Sequence, residues 1–123
     1  MRKLFMLSAA LVLLLAGCAP KNKNLPIEAP ASVLEDLPGN YTLKTTVDDS
    51  VRYSTAVVTQ IAAGEYQISR ITVYGPVLYG FKLGEHAVVE SEELGSGAVT
   101  YTPAIKKTTI SFEKGGSLCE LSK

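Results

Sequence analysis

The sequence predicts an all-β fold: about eight short antiparallel strands in a meander, closed or nearly closed into a small barrel, with a β-sandwich as the alternative. Three observations predict it. From Gly39 onward apolar residues recur with a period of two, the pattern of half-buried strands. Turn residues, chiefly glycine and aspartate, interrupt that alternation about every eight to twelve residues. No comparable stretch carries the three-to-four spacing of an amphipathic helix.

The elements follow in order. Tyr41, Leu43, Thr45 and Val47 alternate with Thr42, Lys44 and Thr46, and Asp48-Asp49-Ser50 supplies turn chemistry. Val51, Tyr53, Thr55, Val57, Thr59 and Ile61 form the next alternating face, with Arg52, Ser54 and Gln60 opposite. Ala62-Ala63-Gly64 closes a hairpin. Tyr66 and Ile68 open a third strand, and the opposite phase of Ile71 and Val73 predicts a bulge near Ser69-Arg70. Gly75-Pro76 ends that strand before Val77, Tyr79, Phe81 and Leu83. Gly84-Glu85 leads to His86-Ala87-Val88-Val89, and Gly95-Ser96-Gly97 precedes Val99-Thr100-Tyr101. Lys107 to Glu113 carries Ile110 and Phe112, and Gly115-Gly116 leads into Ser117 to Ser122. Eight strands leave an interior just wide enough for side chains. The tyrosines and the aliphatic set fill it, so a packed core is expected rather than a large ligand cavity.

Before the strands the chain divides into two further parts. Arg2 and Lys3 precede Leu4–Leu15, a run apolar except for Ser8. It is too short for a hydrocarbon core of about 30 Å, which takes about 20 helical residues; a cleaved export signal is expected over 1–17. Leu15-Ala16-Gly17-Cys18 resembles the lipobox of bacterial lipoproteins. That resemblance implies cleavage before Cys18, a diacylglycerol on its sulfur and a further acyl chain, such as palmitate, on its new α-amine. A thiol suits the position because a soft nucleophile forms the thioether. Two or three chains make a stable membrane anchor where one does not. Ala19, in place of the aspartate that retains many such proteins at the inner membrane, favours the outer membrane of a Gram-negative source.

Pro20, Pro26, Pro30 and Pro38 mark residues 18–38 as a lipidated cysteine with a tether, reaching roughly 60 Å if extended. Within it Ser32 and Glu35 have capping-box spacing for a short helical turn over Ala31 to Leu37. Residues 39–123 form the small all-β domain.

Twelve Lys and Arg balance twelve Asp and Glu, and loss of Arg2 and Lys3 leaves the mature chain mildly acidic. No basic stripe exists to neutralise phosphates, so nucleic acid is not an expected partner. With Cys18 spent on lipid, Cys119 has no intramolecular partner. It reads as a small hydrophobe packed in the core, or as a reactive or intermolecularly paired thiol. No CxxC or CxxH spacing makes it a zinc ligand.

His86, the sole histidine, would need Glu85, Glu90 or Asp48 beside it to hold a metal or move a proton; otherwise it is an exposed or satisfied strand residue. Glu90, Glu92 and Glu93 are either a solvated rim or a calcium site, and Asp48-Asp49 is a turn. Asn40-Tyr41-Thr42 fits the glycosylation acceptor pattern, which carries no weight in a bacterial lipoprotein. With no phosphate loop, nucleophile elbow or histidine-rich motif, neither cofactor, metal nor catalytic residue is expected, and an enzyme ranks third among the readings.

Two further resemblances bear on the strands. Gly39-Asn40-Tyr41 is similar to the Gly-x-Trp that opens lipocalin-like barrels. This implies an aromatic plugging one end beneath a basic residue of the last strand, where this sequence has no arginine. Gly95-Ser96-Gly97-Ala98, Tyr101, Phe112-Glu113-Lys114-Gly115 and Cys119 resemble the membrane-bound inhibitors of C-type lysozyme. That implies Ser96 and Lys114 as the residues approaching the enzyme's catalytic carboxylates. The serine-to-tyrosine spacing is one residue longer than the family pattern, and the first strand holds no cysteine to pair with Cys119. The leading expectation is a non-catalytic binding or structural module of the cell envelope, held to membrane lipid through Cys18 and touching an envelope protein or glycan. Inhibition of lysozyme is the alternative.

Overall fold

The structure, a computed structural model, describes residues 25–123. The expected signal segment and Cys18 lie outside them. The elements are β1 (Ile27–Glu28), α1 (Ala31–Glu35), β2 (Gly39–Val47), β3 (Ser50–Ala62), β4 (Glu65–Thr72), β5 (Gly75–Leu83), a 3-10 turn (Glu85–Ala87), β6 (Val88–Ser91), β7 (Gly95–Thr102), β8 (Lys107–Lys114) and β9 (Ser117–Ser122). Strands β2 to β9 pair antiparallel in chain order. β9 then pairs with β2, from Thr42↔Ser122 to Val47↔Ser117, and closes an eight-stranded up-and-down barrel rather than a sandwich. β1 adds to β7 beyond the end of β6, through Ile27↔Tyr101 and Glu28↔Thr100.

A circuit of direct partners leaving β3 at Ala62 runs through Glu65, Lys82, Glu90, Ser96, Glu113, Leu118 and Thr46. It returns to β3 at Val51. That stagger obliges the strands to tilt about the barrel axis. It also separates two ends. The entry end holds Leu25, the β3–β4 and β7–β8 turns, the 3-10 turn and Lys123. The hairpin end holds the β2–β3, β4–β5, β6–β7 and β8–β9 turns.

Side chains of alternate residues fill the interior. Tyr41, Leu43, Ala56, Val58, Tyr66, Ile68, Phe81, Val89, Val99, Ile110, Phe112, Cys119 and Leu121 are all buried. The Tyr66 and Phe81 rings stack at 5.2 Å, and Phe112 meets Phe81 edge-on at 5.4 Å, both favourable quadrupole geometries. Glycine is required where β7 and β8 approach: a Cβ on Gly97 would lie 1.6 Å from the Ser111 carbonyl oxygen.

Three sequence expectations are corrected. On β3 the inward residues are Ala56 and Val58, while Val51, Tyr53, Val57 and Ile61 face solvent. Partnering decides this, because Tyr41 is opposite Ala56 and direct partners share a face; the small side chain leaves room for the ring. No bulge occurs at Ser69-Arg70, since β4 pairs without interruption from Glu65 to Thr72 and Ile71 simply points outward. The one β3–β4 irregularity is at Gln60/Ala62. The helix starts one residue before Ser32, with Pro30 as its N-cap and no side-chain cap bond.

The segment from Ile27 to Pro38 also belongs to the folded body. Ala29 and Leu37 are core residues, Val33 and Leu34 pack against the core, and the Ala29 amide donates to the Val99 carbonyl at 3.2 Å. The part of the expected tether before Leu25 lies outside the described residues.

Candidate functional site

At the entry end α1 lies across the barrel mouth, and its C-terminal extension is fastened by two side chains. The Tyr41 hydroxyl donates to the Leu37 carbonyl at 2.5 Å. The Lys123 ammonium donates to the carbonyls of Asp36 at 2.5 Å and Pro38 at 3.0 Å, and sits 5.1 Å from the centre of the Tyr41 ring. Burial, then the nearby Asp36 and Tyr66, raises the Tyr41 phenol well above its ordinary pKa, so it stays a donor across the neutral range. The lipocalin-like resemblance implies a basic residue on the last strand, which holds no arginine. The cation is Lys123, one residue past β9, a position the strand pattern does not mark.

The hairpin end carries an exposed apolar cluster. Val73 and Tyr74, the two residues of the β4–β5 turn, are 93% and 98% exposed, and Ile71, Leu78, Tyr53, Val51 and Val47 also face solvent. Hairpin turns ordinarily use Gly, Asn or Asp, so an apolar pair at a tip is unexplained by folding. Two strand edges are open beside it. β3 meets β4 only from Ala56 onward, leaving Ser50–Thr55 paired with β2 alone. β5 meets β6 only at Lys82 and Leu83, leaving the rest of its outer edge unpaired. Pro76 on β5 removes one donor from that edge. The out-of-phase Ile71 and Val73 were the sequence signal for this surface.

Ser96 and Lys114 lie on adjacent strands near the β6–β7 turn, both exposed. The pleat sets them apart: Ser96 is directly opposite Glu113, not Lys114, and so shares a face with Glu113. The Lys114 ammonium donates to the Glu92 carbonyl at 2.7 Å, bridging the two hairpins of this rim. An open depression of about 620 Å³ runs beside the rim; its charged lining is Glu65, Glu90, Glu92 and Glu93 against Lys82. Among the described residues no group of three or more His, Cys, Asp or Glu is placed to hold a metal ion.

His86 is not near Glu90 or Asp48 in any salt bridge. It stands at the opposite end with a positive φ of 57°, and its Nδ1 is 3.9 Å from a Glu28 carboxylate oxygen on β1, both side chains being well exposed. Asp48 and Asp49 form the β2–β3 turn.

Cys119 is buried on the inner face of β9 and has no disulfide partner among the described residues. Burial pushes its thiol from 9.0 up to about 11, with Arg70 pulling down and Glu120 pushing up. Arg70 follows the inward phase of Tyr66 and Ile68, and its Nε is buried with no hydrogen-bond partner. Among the described residues no helix is long and apolar enough to cross a membrane. No protein-family model, curated protein or solved structure matches this chain.

Proposed function

We propose that this protein is a lipid-anchored lipoprotein of the cell envelope that works by surface contact rather than by catalysis, presenting the hairpin end of its barrel to an envelope protein or glycan. The observation that carries this reading is the exposure of Val73 and Tyr74 at a hairpin tip, on the end of the barrel away from the chain's entry. Side chains that pack on nothing contribute nothing to the fold, while an apolar cluster beside open strand edges is the usual anchor of an interface.

The test is site-specific photo-crosslinking from position 74 in intact envelopes, with the Val73→Ser/Tyr74→Ser variant as comparison. A discrete crosslinked partner that the variant fails to retain, with stability unchanged to within about 0.5 kcal/mol, is the expected result. Equal capture of that partner by the variant would refute the assigned surface.

A second reading, inhibition of C-type lysozyme, is favoured by one observation: Ser96 and Lys114 are exposed on adjoining strands at one rim. An ammonium offered to an acidic cleft would supply charge complementarity. Under this reading the purified protein inhibits C-type lysozyme and Lys114→Ala loses that inhibition; unchanged inhibition in the variant removes the mechanism.

A further inference from the structure

We propose that the entry end of the barrel rests directly on the bilayer surface, with the β7–β8 turn as its contact. The inference rests on Cys18 carrying lipid, and goes beyond it by assigning a second, non-covalent contact with the membrane.

Chain length is the first argument. Because Ile27 is already paired with Tyr101 and Ala29 is in the core, only the link from Cys18 to Leu25 separates lipid from folded domain. Even fully extended at about 3.6 Å per residue this link spans about 25 Å, no more than the length of one barrel strand. A tether extending over all of 18–38 would have held the domain clear of the head groups. The folded position of Ile27–Pro38 removes that freedom.

The surface at this end is the second argument. Leu25, Ile27 and Ile105 are 55%, 49% and 63% exposed. Antiparallel pairing of Ile27 with Tyr101 directs the preceding Leu25 toward the Pro103–Lys106 turn that carries Ile105. Beside Ile105 a notch of about 260 Å³ is lined by Lys106, Lys107, Ser122 and Lys123, with no acidic side chain. Lys123 is committed to Asp36 and Pro38. Lys106 and Lys107 are exposed and make no ion pair among the described residues. Lys21 and Lys23 add positive charge within the link itself. Aliphatic side chains flanked by lysines match the boundary between acyl chains and anionic head groups. The hairpin end, with Asp48-Asp49 beside its apolar residues, lacks that complementarity.

The chain contains no tryptophan, so single substitutions give clean reporters. The native acylated protein is reconstituted into vesicles of zwitterionic and anionic phospholipid, with or without brominated acyl chains, as the Ile105→Trp and Tyr74→Trp variants. Leu25→Trp serves as a second reporter of the same end. Expected is quenching of about two-fold or more at position 105 or 25, none at 74, and loss of quenching when Lys106→Glu and Lys107→Glu are added. A protein that floats with the vesicles while its entry-end tryptophans stay unquenched overturns the docking contact and leaves the anchor standing. Equal quenching at position 74 overturns the assigned orientation. A protein found by mass spectrometry to lack acyl chains, and failing to float, overturns both.

Discussion

Changing Tyr41 to phenylalanine removes one atom from the entry end and tests whether the Leu37–Tyr41–Lys123 clamp holds the barrel's base closed. Tyr41 and Leu37 are 3% and 0% exposed, so loss of the hydroxyl leaves the Leu37 carbonyl buried without its donor. An orphaned buried acceptor costs about 1–3 kcal/mol, and about 2 kcal/mol is expected here. Lys123→Met keeps the aliphatic stem over the ring but gives up two donated bonds and a cation–π contact, itself about 0.5–1 kcal/mol. Because that ammonium is solvent-accessible, its loss is expected to cost only about 1 kcal/mol. Both side chains hold the same Asp36–Pro38 segment, so the double variant should fall short of the sum by about 0.5–1 kcal/mol. Urea unfolding at neutral pH, followed by circular dichroism, measures all three; for a domain of this size each kcal/mol moves Tm by about 4–8 °C. A Tyr41→Phe variant within about 0.5 kcal/mol of the parent, or strict additivity in the cycle, would refute the clamp.

Two further outcomes follow from the packing. Gly97→Ala sets a methyl group against the Ser111 carbonyl, which is backbone and cannot rotate away, and should cost about 3 kcal/mol or more; Gly115→Ala, with nothing within 4 Å and only its φ of 56° to strain it, should cost about 1 kcal/mol, and equal losses by denaturant titration would contradict the close approach of β7 to β8. The fold prefers the Cys119 thiol over the thiolate, so its share of stability is complete below pH 9.0 and is lost as pH rises through about 11. The loss is on the order of 2–3 kcal/mol. Cys119→Ala should flatten that part of the stability profile, and an unchanged alkaline slope would count against a buried thiol.

The legible part of this molecule is the part written in local chemistry. Period-two alternation and the glycine turns predict strand after strand with nearly the observed bounds, because backbone pleat and turn dihedrals depend on neighbouring residues only. Two failures have the same cause in partners distant along the chain. Which face of β3 turns inward is set by the pairing of Tyr41 with Ala56, against the greater apolarity of Val51, Tyr53, Val57 and Ile61 on the other face. The proline-rich stretch before Gly39 looks like a tether by composition, yet Leu37 is wholly buried, and Lys123, just past the last strand, holds the carbonyls of Asp36 and Pro38 on either side of it.

Ser96 and Lys114 share a rim but not a face, His86 stands at the other end, and the apolar hairpin tip is visible in the sequence only as a lapse of phase. Sequence by itself determined the fold class and the number of barrel strands, because alternation and turn chemistry are each expressed within a few consecutive residues. Only tertiary structure decided which apolar residues are core and which are surface, where the folded domain begins, and which cation covers Tyr41. Those depend on the stagger at which the sheet closes, and closure joins residues from opposite ends of the chain.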